Sequence, residues 1–208
     1  MNAELESVRR SSPNRDVWRR WCIPLAIAAL ALALGFGGEA ARVWGRYERE
    51  ALELGELWRL ATAHLVHLGW GHLVMNVTAL LLLGALFDEL LEPLEWLGAA
   101  VVSAAAIDAG LYLLEHDVGW YVGLSGVLHG LLAFGALRLL PKRRAFAAVL
   151  LAVLGGKLVL EQTVGVLPWS SLGTGGPVIV AAHLYGAAGG VLAVGAAVLL
   201  RRVRNRPV

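Results

Sequence analysis

The stretch GLSGVLHG, residues Gly123 to Gly130, opens an apolar segment that runs to the basic residues Lys142–Arg144. A serine between glycines is common, but here Ser125 stands at one end of an apolar helix. Polar side chains are costly inside a lipid bilayer and usually mark function there. What Ser125 does depends on whether this segment lies in a membrane and on which groups share its depth.

The composition indicates a membrane protein. Of the 208 residues, 58% are hydrophobic, and the mean hydropathy is +0.65, whereas soluble domains contain about 45–50% apolar residues. This excess excludes a soluble hydrolase. The net charge of +2 implies no broad surface for nucleic acid. The single cysteine, Cys22, excludes an internal disulfide.

Six apolar segments are long enough, or nearly so, to span a bilayer, which takes about 20 residues. They cover residues 21–38, 71–91, 96–114, 125–140, 145–160 and 178–200. The first lacks a small-residue cleavage site and is therefore interpreted as a membrane helix, not a signal peptide. We predict an all-α membrane protein with a six-helix domain over 21–200, a basic N-terminal tail over 1–20 and a basic C-terminal tail over 201–208.

Basic residues predict the orientation of the bundle. Three basic clusters fall on one side of a six-helix arrangement: Arg9, Arg10, Arg15, Arg19 and Arg20; Lys142–Arg144; and Arg201, Arg202, Arg204 and Arg206. Because cytoplasmic loops carry the excess of Lys and Arg, both termini are predicted to be cytoplasmic.

Three polar side chains are predicted to share one depth. Counted from the cytoplasmic ends of their helices, Ser125 and His72 lie 16 residues in and His183 lies 18 residues in. At a rise of 1.5 Å per residue these are depths of about 24 Å and about 27 Å, in a hydrocarbon core of about 30 Å. All three therefore lie near the outer surface, and Asn76, one turn from His72, shares its helix face.

This grouping suggests nucleophilic catalysis. A serine hydroxyl needs a base to take its proton, and histidine is the usual one. Peptide cleavage also needs donors for the developing oxyanion, and His72, Asn76 and the Ser125 backbone N–H are suitable. We find no Asp or Glu at the same depth and face, so the sequence predicts a Ser–His dyad. Two GxxxG pairs, Gly126/Gly130 and Gly186/Gly190, would let the two helices approach closely.

The ordered motifs resemble those of a known family. They are Trp58-Arg59 with Thr62, His67, His72, Leu73 and Asn76; Gly123-Leu124-Ser125-Gly126; and Ala182-His183-Leu184-Tyr185-Gly186. Together they resemble the signature of rhomboid intramembrane serine proteases, over about residues 55–200. The resemblance implies that Ser125 is the nucleophile and His183 the general base, that His72 and Asn76 help bind the oxyanion, and that Trp58-Arg59 is a structural motif of the first loop.

A narrower resemblance points to the rhombosortase branch. It rests on the compact six-helix form, on GLSGVLHG, and on Lys157-Leu158-Val159-Leu160-Glu161-Gln162. It implies a bacterial inner-membrane enzyme whose active site opens to the periplasm. Its partner would be a membrane-anchored substrate with a C-terminal Gly-Gly motif, a membrane helix and a basic tail. Glycines would let the substrate extend into the site, because they weaken helical structure.

The remaining polar groups are open to more than one interpretation. His129 is four residues from Ser125 and is interpreted as packing on His183, with Gly123, Gly126 and Gly186 supporting the site; alternatively His129 is a competing base. Lys157 and Glu161 fit an i,i+4 ion pair. Alternatively, Glu161 or the adjacent Gln162 contacts the substrate.

Asp108, the histidines before the second apolar segment and the loop before the last one are predicted to have other roles than catalysis. Asp108 fits a helix–helix hydrogen bond. No cofactor or metal is expected, because no carboxylate completes a zinc pattern with His64, His67 and His72. The segment from Trp169 to Pro177 is predicted to be a cap over the site, or else an ordinary linker.

Three alternative functions remain. A general rhomboid protease would cut other single-span proteins. A non-catalytic rhomboid-like protein would bind membrane proteins without cutting them, although such relatives typically lose the catalytic residues. A small transporter or channel would explain intramembrane His, Lys and Asp, but it does not predict the ordered motifs.

Overall fold

The computed structural model describes residues 13–168 and 175–204. Within them the chain forms nine helices and one two-stranded antiparallel sheet. In chain order these are α1 (Pro13–Phe36), α2 (Gly38–Gly45), β1 (Tyr47–Glu48), α3 (Arg49–Glu53), α4 (Arg59–Thr62), α5 (Trp70–Leu86), α6 (Pro93–Leu113), β2 (Trp120–Tyr121), α7 (Ser125–Leu139), α8 (Arg144–Val164) and α9 (Val180–Arg204). Of the predicted tails, residues 1–12 and 205–208 lie outside the described residues, while residues 13–20 and 201–204 belong to α1 and α9.

Each of the six predicted apolar segments overlaps one of the long helices, α1 and α5 to α9. Four helices contain stretches long and apolar enough to cross a membrane: Val17–Phe36, Pro93–Leu113, Arg144–Val164 and Val180–Leu199. The other two, Trp70–Leu86 and Ser125–Leu139, are shorter apolar helices. The prediction of a helical, multi-pass membrane architecture is therefore confirmed, while six complete crossings and the cytoplasmic termini stay predictions.

The ends of the long helices lie in two groups, one at each end of the bundle. Arg19 of α1 bonds to Glu92 at 2.7 Å, next to the start of α6. At the other end of α1, the Phe36 ring packs edge-on against Trp70 at the start of α5, with ring centroids 5.1 Å apart. We call this second end, where α5, α7 and α9 begin, the Ser125 end of the bundle.

Helix α7 lies at the centre of the bundle. Ten of its 15 residues are buried, and Leu131 and Phe134 belong to the main apolar core. It packs against α6 and α9. Because other helices enclose α7, it has little contact with lipid and need not match the full thickness of the bilayer. A helix of only 15 residues can therefore carry Ser125.

The first loop, residues 37–69, is more ordered than the sequence indicated. It forms α2, α3, α4 and strand β1, which pairs with β2 through Tyr47–Tyr121 and Glu48–Trp120. Its organising group is Arg59, which is 8% exposed and donates to the carbonyls of Val43 at 2.8 Å and Arg46 at 2.9 Å. This position of Arg59 agrees with the structural role predicted for the Trp58-Arg59 motif in the first loop.

Candidate active site

Ser125 is placed by the turn before α7. Gly123 has a φ of +118°, a backbone region that L side chains rarely adopt. Its N–H donates to the Ala63 carbonyl at 2.8 Å, and its own carbonyl accepts from the Tyr121 hydroxyl at 2.7 Å. A Cβ at position 123 would lie 2.7 Å from the His72 ring. Glycine is therefore required both by conformation and by space.

Ser125 and His183 meet across the centre of the bundle. Ser125 Oγ lies 3.0 Å from His183 Nε2, although the residues are 58 positions apart in sequence. His183 is 3% exposed. This distance is within hydrogen-bond reach of a nucleophile and its base. The structure thus brings together the two residues that the sequence predicted as the catalytic pair.

Glycines on both helices make this approach possible. A Cβ at Gly186 would overlap the Gly126 carbonyl oxygen, and a Cβ at Gly190 would overlap that of Gly130. Contacts between small residues let helix backbones pack closely in membranes. We call this line of contact between α7 and α9 the glycine seam, defined by Gly126, Gly130, Gly186 and Gly190.

A carboxylate accompanies the pair, which corrects one expectation. Glu161 Oε2 lies 2.8 Å from His183 Nδ1, so the expectation that no Asp or Glu shares the depth and face of the pair was wrong, while the Ser–His dyad as the working unit stays a prediction. The Glu161 side chain has no exposed surface. This burial does not favour the alternative that Glu161 contacts the substrate, which stays a prediction.

The sequence contained a signal for this position. Glu161 lies 17 residues beyond Arg144, the basic start of α8. At 1.5 Å per residue that is about 26 Å, the same depth as Ser125 and His183. The shared depth was overlooked because an i,i+4 ion pair with Lys157 already explained Glu161.

Lys157 and Gln162 have different surroundings. Lys157 Nζ donates to Glu161 Oε1 at 2.6 Å and lies 3.5 Å from His183 Nδ1. The predicted ion pair is therefore present and extends to the histidine. Gln162 is exposed and donates to the Val180 carbonyl at 3.2 Å, so it joins the end of α8 to the start of α9.

His129 covers one face of the His183 ring. Its ring stacks on His183 with centroids 4.2 Å apart and an interplanar angle of 15°. Its Nδ1 lies 2.7 Å from the Ser125 carbonyl oxygen, so Nδ1 carries a proton and donates. This is the packing that the sequence predicted. His129 Nδ1 is thereby occupied by the backbone of its own helix rather than directed at the Ser125 hydroxyl.

The two predicted oxyanion donors lie on α5. Leu68 N–H donates to His72 Nδ1 at 3.5 Å, which assigns the ring proton to His72 Nε2. Asn76 is 5% exposed, and its Nδ2 has no hydrogen-bond partner among the described residues. An unpaired buried donor is costly, so Asn76 holds a donor that a ligand could use.

These groups surround one cavity of about 570 Å³. Its polar lining consists chiefly of Ser125, His183, His72, Asn76, His129 and Lys157, and most of the remaining lining is apolar. A site of this kind, largely apolar with a few converging polar groups, is typical of ligand pockets. The predicted cap includes residues 169–174, which lie outside the described residues, while Pro177, Val178 and Ile179 line the cavity.

The other histidines are separated from the pair. His64 Nε2 lies 3.2 Å from Asp108 Oδ1, so Asp108 links α6 to the first loop. His67 Nδ1 donates to the Leu65 carbonyl at 3.0 Å. Burial, with a smaller contribution from His72, lowers the pKa of His67 to about 3, which keeps it neutral.

One group of side chains in the described part of the chain could hold a metal ion: His129, Glu161 and His183. In the structure their closest atoms are already engaged. His129 Nδ1 bonds to a backbone carbonyl, and His183 Nδ1 bonds to Glu161. A hydroxyl beside an imidazole, with a carboxylate on the other ring nitrogen, is an arrangement that could support acyl transfer.

Comparison with known proteins gave one family. The sequence model described as Rhomboid domain matches residues 54–201, which is well over half of the chain and includes every residue of the site. No curated protein matches the sequence.

Proposed function

We propose that this chain, which belongs to the rhomboid family of intramembrane serine proteases, is itself an active endopeptidase that cuts membrane-anchored proteins. The observation that carries the proposal is the 3.0 Å contact between Ser125 Oγ and His183 Nε2, at the wall of a cavity of about 570 Å³. A non-catalytic binder would not need this contact.

The proposed reaction proceeds through an acyl-enzyme. His183 Nε2 takes the Ser125 proton while Oγ attacks the scissile carbonyl carbon, forming a C–O bond and an oxyanion. The Ser125 backbone N–H, His72 and Asn76 donate to that oxyanion. Collapse of the intermediate breaks the C–N bond, and His183 returns the proton to the leaving amine. Water, activated by His183, then releases the acyl product.

For the substrate we propose the class expected of a rhombosortase, namely exported proteins with a C-terminal Gly-Gly motif before a membrane helix and a basic tail. The GLSGVLHG stretch and the segment Lys157–Gln162 support this. A Gly-Gly segment suits a cavity with a largely apolar wall, because it adds no side chain and extends readily.

The corresponding location is the bacterial inner membrane. The three basic clusters support cytoplasmic termini, which would direct the Ser125 end of the bundle to the periplasm. All six long helices would then cross the membrane. The substrate's own basic tail would have the same orientation as the basic tails of the enzyme.

Cleavage in proteoliposomes tests the proposal. The substrate carries a Gly-Gly motif, a membrane helix and a basic tail, and a matched version carries Val-Val instead. We expect the wild-type enzyme to cut the Gly-Gly version and Ser125→Ala to cut neither. Equal cleavage of both versions would leave a general rhomboid protease. Substrate capture without cleavage by wild type and Ser125→Ala alike would favour the non-catalytic binder.

A further inference from the structure

We infer that Glu161 is a positioning residue for His183, held in place and ionised by Lys157, so that the site works as a Ser–His–Glu chain instead of a dyad. The inference rests on the proposed protease function. It assigns Glu161 and Lys157 to the preparation of the base and not to the recognition of substrate.

The protonation of His183 decides whether it can act as a base. To accept the Ser125 proton, Nε2 must be unprotonated, so a neutral His183 must carry its proton on Nδ1. A proton on Nδ1 needs an acceptor. Glu161 Oε2 at 2.8 Å is such an acceptor, whereas the Lys157 ammonium at 3.5 Å can only donate. The carboxylate therefore selects the tautomer that can act as a base.

The burial of Glu161 explains the presence of Lys157. An isolated carboxylate without solvent contact is strongly disfavoured, so it is paired or becomes protonated. Lys157 Nζ donates to Oε1 at 2.6 Å, which leaves Oε2 for His183. The lysine side chain keeps 25% of its surface exposed and lines the cavity. The negative charge of Glu161 is thus buried next to His183, and the positive charge of Lys157 lies at the cavity.

The pair also matches the charge that develops during the reaction. When Ser125 gives its proton to Nε2, His183 becomes an imidazolium with both ring nitrogens protonated. Glu161 keeps its negative charge and its hydrogen bond to Nδ1–H, and no proton passes to it. His129, stacked on the ring, restricts its tilt. The base is therefore oriented before substrate arrives.

Lys157 also makes the loss of Glu161 more harmful. Without the carboxylate, the nearest charged group to Nδ1 is an ammonium that donates. It would favour the tautomer with the proton on Nε2, which cannot accept the Ser125 proton. Glu161→Gln should therefore lower kcat by between about 10²- and 10⁴-fold, the upper figure being the loss when a triad carboxylate becomes an amide.

The kinetic test compares Glu161→Gln, Glu161→Asp and the wild type on the Gly-Gly substrate. We expect Glu161→Gln to lower kcat with KM little changed, and Glu161→Asp to recover part of the rate because it restores a carboxylate. A raised KM at unchanged kcat would overturn the inference in favour of a substrate contact. Wild-type kinetics for Glu161→Gln would also overturn it.

A matched control neutralises another carboxylate of the bundle, that of the partly buried Glu95. Glu95 accepts from Arg138 at 2.9 Å at the end of the bundle opposite Ser125. Glu95→Gln should reduce thermal stability without lowering kcat per folded molecule. If both Gln variants lower kcat equally, the effect of Glu161→Gln is a general loss of structure and the inference fails.

A second measurement needs no substrate and reads the wild-type protein directly. Nitrogen NMR of histidine-labelled wild-type protein, with His183 assigned through His183→Asn, reports which ring nitrogen carries the proton. We expect Nδ1 to be protonated and Nε2 unprotonated at neutral pH; the opposite tautomer overturns the inference. Because this reading is independent of cleavage, an inactive wild type would reject the proposed function and leave the NMR result to decide the role of Glu161.

Discussion

The two sides of α7 differ in how they hold their neighbours. Toward α9, the glycine seam brings backbone against backbone, and added methyl groups would overlap carbonyl oxygens. Toward α5 and α8, the same helix borders a cavity of about 570 Å³ lined by His72, Asn76 and Lys157. The seam fixes the distance between Ser125 and His183, the proposed nucleophile and base, while the cavity side leaves room for the proposed substrate.

This difference separates two demands on one helix. Catalysis needs reacting groups held to fractions of an ångström, and close packing of backbones supplies that rigidity. Binding of a peptide needs space and unpaired donors, such as Asn76 Nδ2. Substitutions on the two sides should therefore have different signatures, and four predictions test this.

The largest effect is expected from the catalytic pair itself. His183→Ala removes the proposed base, 3.0 Å from Ser125 Oγ, and should lower kcat by a factor on the order of 10⁶, as removal of a triad member does. His116→Ala, at an exposed histidine that does not line the cavity, serves as the control and should retain most of the activity. Equal losses for both variants in the cleavage assay would contradict the assignment of the base.

A methyl group in the seam should separate the pair. Gly186→Ala places a Cβ against the Gly126 carbonyl, and overpacking of this kind costs about 1–3 kcal/mol. We expect a lower midpoint of thermal unfolding in detergent together with a loss of cleavage.

Gly195→Ala is the matched control for the seam. It lies on the same helix, α9, but faces open space and gains the same helix propensity from alanine. Its stability should be unchanged or higher. If Gly186→Ala is as stable and active as Gly195→Ala, the seam does not set the geometry.

On the cavity side the effect should fall on the rate and not on the fold. Asn76→Ala removes the unpaired donor and should lower kcat by about 10²–10³-fold, as loss of one oxyanion donor does, with little change in the unfolding midpoint. A near-wild-type kcat would mean that the Ser125 N–H and His72 suffice for the oxyanion.

The smallest effect is expected at His129. His129→Phe keeps a ring over His183 but loses the 2.7 Å bond to the Ser125 carbonyl. A net hydrogen bond contributes about 0.5–1.5 kcal/mol, so cleavage should fall by about tenfold at most. His129→Ala, which also removes the stacking, should be worse. A complete loss of activity in His129→Phe would indicate that His129 is the base.

Local patterns were sufficient to predict the main helices. Apolar runs and basic flanks identify the six segments, and the depth count brings Ser125 and His183 together because helices have a fixed rise. The same count would have found Glu161. It was missed because an i,i+4 lysine already gave the carboxylate a local partner.

The first loop could not be predicted in the same way. Its helices are too short to produce a recognisable hydrophobic periodicity. Strand β1 pairs with β2, which is more than 70 residues away in sequence. Arg59 is fixed by carbonyls of Val43 and Arg46, contacts that depend on the folded path of the backbone. Such long-range pairings leave no signal in a single sequence.

The most direct test of the account is covalent labelling of Ser125. A fluorophosphonate probe reacts with a serine whose hydroxyl is activated by a base. With the wild-type protein in detergent, mass spectrometry should find a single adduct on Ser125, lost in Ser125→Ala and strongly reduced in His183→Ala. An adduct on another residue, or labelling of Ser125 that does not depend on His183, would contradict the claim that these two residues form the catalytic pair.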